Sequence, residues 1–181
     1  KSAPFKELLR TQWRPILLST LMPLASYALF HMVTVFPLGY STLFSGRDIS
    51  EILLLQLVGG TLAIGSVILS GVLADRFSKR AVLWLSTAAI AVLCLTILTL
   101  DTNSAIYIIL GFVLLGLAYG QSSSIVPNRY PPEFRYSGSA LSTNLSWIVR
   151  AAFAPLTGLY LTVQFGLWAA SLYLLSGVLV T

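Results

Sequence analysis

The chain has 181 residues, of which 56% are hydrophobic and 9% charged, with a formal net charge of +5. Soluble domains draw about a quarter of their residues from Asp, Glu, Lys and Arg, so this composition excludes that class and describes a chain solvated by lipid. The bases fall between long apolar runs rather than on one face, which makes the positive charge a report of membrane topology and argues against a nucleic-acid partner.

Residues 1–14 read as a cytoplasmic lead-in whose Phe5, Leu8, Leu9 and Trp13 lie on the membrane interface as a short amphipathic turn. Residues 15–181 read as an all-α membrane domain of six transmembrane helices. Charge-free runs cover 15–46, 52–74, 81–100 and 102–128, and the run 136–181 is charged only at Arg150. A spanning helix needs roughly 20 apolar residues, so each of the first four runs holds one span. The last run has to turn back once, at 162–166. Helices are required because lipid offers no partners to backbone N–H and C=O groups, and the runs do not alternate as barrel strands would. Span one (about 14–40) contains Pro23 and Pro37, which kink it. Span two (about 51–74) carries Gly59, Gly60 and Gly65, and span three (about 80–100) is apolar on every face. Span four (about 104–126) contains Gly116 and Gly120 at the spacing of a close-packing motif. Span five (about 137–161) is the most polar, and span six (from about 165) is featureless. The order of polar and bland spans fits two three-helix repeats.

Lys1, Lys6, Arg10 and Arg14 precede span one; Arg76, Lys79 and Arg80 follow span two; Arg129 and Arg135 follow span four. The alternate loops hold Arg47, beside Asp48 and Glu51, and the acid Asp101. This asymmetry places both chain ends and the loops at 75–80 and 129–135 in the cytoplasm. Cys94 is the single cysteine and sits in an apolar span, so it is a packing residue, with no disulfide and no metal site to join. The first apolar run is too long for a signal peptide. A chain that opens at Lys1 and closes inside its sixth span at Thr181 reads as a fragment of a longer protein.

The segment from Gly71 to Arg80, with Asp75, Arg76, Lys79 and Arg80 between two spans, resembles the loop signature G-x-x-x-D-[RK]-x-G-[RK]-[RK] of the major facilitator superfamily. Ser78 stands where that family has Gly. A second block, Tyr130-Pro131-Pro132-Glu133-Phe134-Arg135-Tyr136-Ser137-Gly138 with Asn144 and Pro155 beyond it, is similar to the block around the eleventh helix of metabolite:proton symporters. Two departures stand out: Asn128 replaces a Glu, and Ala151-Ala152, preceded by Arg150, replaces paired glycines. The resemblance implies helices seven to twelve of a twelve-helix carrier. It would be a bacterial inner-membrane protein that moves a small anionic or zwitterionic metabolite, with protons, by alternating access. It also implies no cofactor and a partner in the carrier's N-terminal six-helix half. Gly71, Asp75, Arg76, Lys79, Arg80 and Arg135 would form the cytoplasmic gate, with Asp75 latching onto a helix N-terminus of the other half. A turn-stabilising role for Asp75 stays open.

The substrate-binding candidates are Arg150, Trp147, Tyr27, His31, Gln56, Tyr119 and Gln121. Arg150 is about 20 Å along its helix from Ser137, too deep to snorkel easily, and its fork suits a carboxylate. At helical spacing it shares a face with Ser139, Thr143, Ser146, Trp147 and Thr157. A salt bridge to another part of the carrier, or snorkelling, remains the alternative. His31, with Thr20, Tyr27 and Thr34 on its face, is either a proton carrier or a buried neutral residue. Gln56, Tyr119, Gln121 and Ser122–Ser124 are uncharged donors and acceptors, although serines also bond back to their own helix. An intramembrane enzyme lacks parts, since one His, one Cys and no membrane-embedded acid assemble no acid–base pair. A non-transporting scaffold or receptor and a passive facilitator are the other uses this fold allows.

Overall fold

The computed structural model describes residues 5–96, 104–151 and 153–181, which are helical apart from short turns. Helices α1 (Phe5–Thr11) and α2 (Trp13–Leu21) lead into α3 (Leu24–Thr34), α4 (Phe36–Tyr40) and a π-helical turn at Ser41–Ser45. Trp13–Ser45 together form span one. Span two is α5 (Ile49–Arg76), span three is α6 (Lys79–Thr96), and span four is α7 (Ala105–Ile125) with a 3-10 turn at Pro127–Arg129. Span five comprises α8 (Arg135–Ser146), a π-helical turn at Trp147–Ala151 and α9 (Ala154–Phe165), and span six is α10 (Leu167–Val180). The expected end of span three at Leu100, the acid Asp101 and Ala152 lie outside the described residues.

Among the described residues five helices are long and apolar enough to cross a membrane, and the chain is a multi-pass membrane protein. α10 has 14 residues, about 21 Å of helix, which is shorter than a hydrocarbon core of about 30 Å. The sixth span is therefore apolar as expected, but its length within the chain is less than a full crossing.

The helix boundaries follow from capping chemistry. The Asp48 carboxylate accepts from Ser50 N at 2.9 Å, and Ser104 Oγ accepts from Tyr107 N at 3.2 Å, so each caps the span beyond it. Ser78 does the same for α6, accepting from Ala81 N at 3.1 Å. The expected turn across 162–166 contracts to Gly166 alone, whose φ of +91° suits glycine. Pro23 and Pro37 interrupt span one as expected. Pro37 has no N–H to give the Val33 carbonyl, and Gln56 of span two supplies the donor instead, at 3.0 Å to Val33 O and 2.6 Å to Thr34 O.

The packing is symmetric under exchange of spans one, two and three for four, five and six. Span two packs on span four as span five packs on span one, and span three packs on four as span six packs on one. Spans one and four meet at the centre, as do spans three and six. That arrangement matches the two three-helix repeats expected from the order of polar and bland spans. The core gathers Ala28, Met32 and Phe36 of span one, Ile90 and Cys94 of span three, Tyr107 and Phe112 of span four, and Leu174 of span six. Span three, apolar on every face, is thus buried along one of them through Ile90 and Cys94. Tyr107 Oη is satisfied by Met32 O at 3.1 Å, and Cys94 is buried as a free thiol.

Lipid gives helices no hydrophobic reason to associate, so close approach matters. A Cβ at Gly116 would stand 2.5 Å from the Ala63 carbonyl oxygen, and one at Gly120 would overlap Ser70 Oγ. The two glycines are what allow span four to lie against span two. At the end carrying the 129–135 loop, Leu8, Ile16, Val126, Tyr130 and Phe134 form a second cluster. Leu8 of the lead-in is buried there, while Phe5, Leu9 and Trp13 remain exposed. The Tyr130 ring covers Gly138, and its hydroxyl shares a 2.5 Å hydrogen bond with Ser142 Oγ. Ser146 Oγ donates to Thr20 O at 2.6 Å, tying span five to span one.

Candidate functional site

Two recesses, stacked along the bundle, open between spans one, four and five, and span two joins them at the second. The one nearer the 129–135 loop, about 270 Å³, is lined by Ser122, Ser123, Ser139, Thr143 and Asn144 among others. The deeper one, about 340 Å³, is lined by Phe30, Ala63, Val67, Leu115 and Trp147 among others. Tyr27 and Tyr119 line both and stand between them, with ring centroids 6.1 Å apart. No Asp, Glu, Lys or Arg side chain lines either recess among the described residues. The first offers hydroxyls and one carboxamide, the second aromatic faces. Such a pair accommodates a small molecule with one polar and one apolar end.

Local structure explains the placement. Pro23 breaks span one, and α3 restarts with Tyr27 N donating to Pro23 O at 2.9 Å, so Tyr27, Phe30 and His31 follow on one helical face. Tyr27 stacks on Trp147 at 4.7 Å, and Trp147 meets Phe30 edge-on at 5.6 Å and His31 at 5.8 Å. The structure thus brings four of the expected residues together: Tyr27, His31, Tyr119 and Trp147. Tyr27 is 3% exposed, whereas Tyr119 is 42% exposed at the mouth. His31 touches the cluster without lining either recess, and its Nδ1 is buried with no hydrogen-bond partner among the described residues.

The other three lie elsewhere. Gln56 spends its amide on the span-one carbonyls freed by Pro37. Gln121 is 2% exposed in the interface of spans two and four, donating to Ser70 O at 2.7 Å. Arg150 turns toward span six: it donates to Tyr173 O and to Ser176 Oγ, the latter at 2.8 Å, and its guanidinium lies 4.0 Å from the Tyr173 ring centroid. The helical spacing expected to align Arg150 with Trp147 and Thr143 does not hold across Trp147–Ala151. There i→i+5 bonding underwinds the helix and rotates the residues beyond it.

Ser122 and Ser123 hydroxyls bond back to Tyr119 O and Gly120 O, both at 3.1 Å. Phe30 and Tyr136 had no place among the expected site residues. The periodic signal for Phe30 was present, three residues from Tyr27, whereas Tyr136 sat inside the block read for its family resemblance. Among the described residues no group of three or more His, Cys, Asp or Glu could hold a metal.

The motif residues sit at the turn between spans two and three. Asp75, Arg76, Lys79 and Arg80 are exposed, and Asp75 forms no ion pair among the described residues. A Cβ at Gly71 would meet open space. Arg135 opens α8 and is exposed, with its carbonyl accepting from Ser139 Oγ at 2.6 Å. Ser78 has a definite role as the cap of α6, and no non-glycine residue at this turn has a positive φ. The turn therefore forms without the family's glycine.

The chain is 31% identical over 182 residues to the inner membrane metabolite transport protein YhjE of Escherichia coli K12, covering 94% of this chain and 41% of that protein. It is 28% identical over 198 residues to a protein of Haemophilus influenzae named for metabolite transport, covering 99% of this chain and 45% of that one. With the proline/betaine transporter of Escherichia coli K12 it shares 26% over 152 residues, 80% of this chain and 30% of the relative. The chain therefore spans less than half the length of these relatives. No solved structure matches it. The sequence profile described as Major Facilitator Superfamily matches residues 1–151, and the chain belongs to that family.

Proposed function

We propose that this chain forms the C-terminal half of a metabolite carrier, and that the paired recesses around Tyr27 and Tyr119 are its half of the substrate pathway. The observation that carries this reading is the placement of the recesses on spans one, two, four and five, with an aromatic floor and a polar mouth. A carrier needs one site offered to each side in turn, with no covalent chemistry, and sites at the meeting of structural repeats are how such proteins work. The names of the relatives support a metabolite as cargo. Between an anionic and a zwitterionic metabolite, the charge-free lining favours a small zwitterion, whose charges cancel.

In this reading the carrier lies in a bacterial inner membrane with both ends of this half in the cytoplasm. Proton symport supplies the driving force, and Asp75 acts with the basic turn as a latch toward the N-terminal half. Arg150 serves the site indirectly, by tying to span six the π-helical turn that presents Trp147 to span one. The test is uptake by the full-length carrier in proteoliposomes under an imposed proton gradient. Zwitterionic metabolites should accumulate in preference to anionic ones, and Trp147→Ala should raise KM at least tenfold. Uptake indifferent to the gradient would remove proton coupling, and an unchanged KM in Trp147→Ala and Tyr27→Ala would move the site away from the recesses.

A further inference from the structure

A recess of about 550 Å³ is separate from the proposed pathway. It is a crevice between spans two, three and four, with Leu73 and Phe77 on one wall, Ala81, Leu85 and Ala89 on the other, and Leu114 in its floor. From Ala81 to Ala89 it runs about 12 Å along α6. Its one hydroxyl, Ser86 Oγ, is already spent on Val82 O at 2.6 Å. The crevice therefore offers nothing to a polar ligand and suits a hydrocarbon chain.

One end of it lies at the turn between spans two and three, where Phe77 lines it. Phe77 is 73% exposed there, and its neighbours Arg76 and Lys79 are exposed as well. Arg80 lines a different recess with Trp84 and Arg129, so Arg76 and Lys79, each within two residues of Phe77 in the chain, are the bases offered at this end, against the one exposed acid Asp75. An apolar slot of acyl-chain shape that ends at two membrane-surface bases is complementary to a lipid with an anionic headgroup. We infer that this crevice is a binding site for an anionic phospholipid, with one acyl chain against Leu73, Leu85 and Ala89 and the phosphate near Arg76 and Lys79.

The inference does not depend on transport, and it can be tested separately. The full-length carrier is placed in nanodiscs containing trace phosphatidylglycerol or phosphatidylcholine with a photoreactive group in one acyl chain. Labelled peptides are then mapped. Phosphatidylglycerol should label 73–89 at least about fivefold more than phosphatidylcholine, the effect expected of one base at the surface. Arg76→Gln with Lys79→Gln should bring the two lipids within twofold. Ala89→Phe, which fills the slot, should lower phosphatidylglycerol labelling there severalfold while labelling on 167–180 stays constant. Millimolar glycerol phosphate should not compete, which separates a lipid site from a site for the free phosphate. Equal labelling by both lipids, a preference that survives the double substitution, or effective competition by glycerol phosphate would overturn the assignment. Absence of label at 73–89 would overturn it too, by showing the crevice covered by the rest of the carrier.

Discussion

Gln56, expected among the substrate contacts, has its amide committed within the bundle. Its amide replaces the donor that Pro37 removes from span one. Gln56→Leu should cost about 1–3 kcal/mol, the penalty of a buried carbonyl left without its partner, as a lower midpoint in detergent thermal unfolding. Substrate affinity should be unchanged. Ser78 gives a second residue-scale expectation. Ser78→Ala removes the cap of α6 and should cost about 1 kcal/mol, whereas Ser78→Gly, the family residue, should cost a few tenths. Equal losses in the two variants would mean that the hydroxyl does not act as a cap. Arg150 was legible as an anomaly from its charge alone, but its direction was not, because a side chain's azimuth depends on every residue of helix before it. Its ties to Tyr173 and Ser176 predict that Arg150→Lys and Arg150→Gln lower stability while holding substrate affinity within about twofold, the scale of an indirect effect. A tenfold weaker affinity in Arg150→Gln, with unfolding unchanged, would instead make Arg150 a substrate contact.

At the scale of elements, spans were readable because lipid restricts the choice to continuous apolar helix. Their interruptions were harder to read. The prolines of span one announce themselves, but nothing in Trp147–Ala151 marks a π-helical turn, since that turn arises from packing against α3 and from the helix restart at Pro155. Amides of 147–151 should exchange with deuterium faster than those of Ser139–Ser146, because i→i+5 bonds are poorer and the stretch meets a break. Equal protection along span five would argue for a continuous α-helix there. The glycine pair of span four was legible as a packing signal but not its partner, Ala63 and Ser70 of span two. Gly116→Leu, which drives a large side chain into the Ala63 carbonyl, should cost roughly 1–3 kcal/mol and separate spans two and four. The same change at Gly60, where a Cβ meets open space, should be far milder.

At the scale of the whole molecule, the pairing of two three-helix repeats could be expected from the order of polar and bland spans, and the packing has that symmetry. The candidate site was half legible. Tyr27, Tyr119 and Trp147 stood out as aromatic residues on polar helical faces, while their convergence required the tertiary fold. The distribution of bases predicts orientation, and a cysteine at Ser78 in a Cys94→Ala background should resist impermeant thiol reagents added outside intact cells. The central claim is that the recesses form part of a pathway that opens to each side of the membrane in turn. The most direct measurement places a cysteine at Thr143 in an otherwise cysteine-free full-length carrier and follows its alkylation by an impermeant reagent in right-side-out and inverted vesicles. Reaction from both sides, slowed by the transported metabolite in each case, is the result expected. Reaction from one side alone, or no protection by any metabolite that the vesicles accumulate, would contradict it.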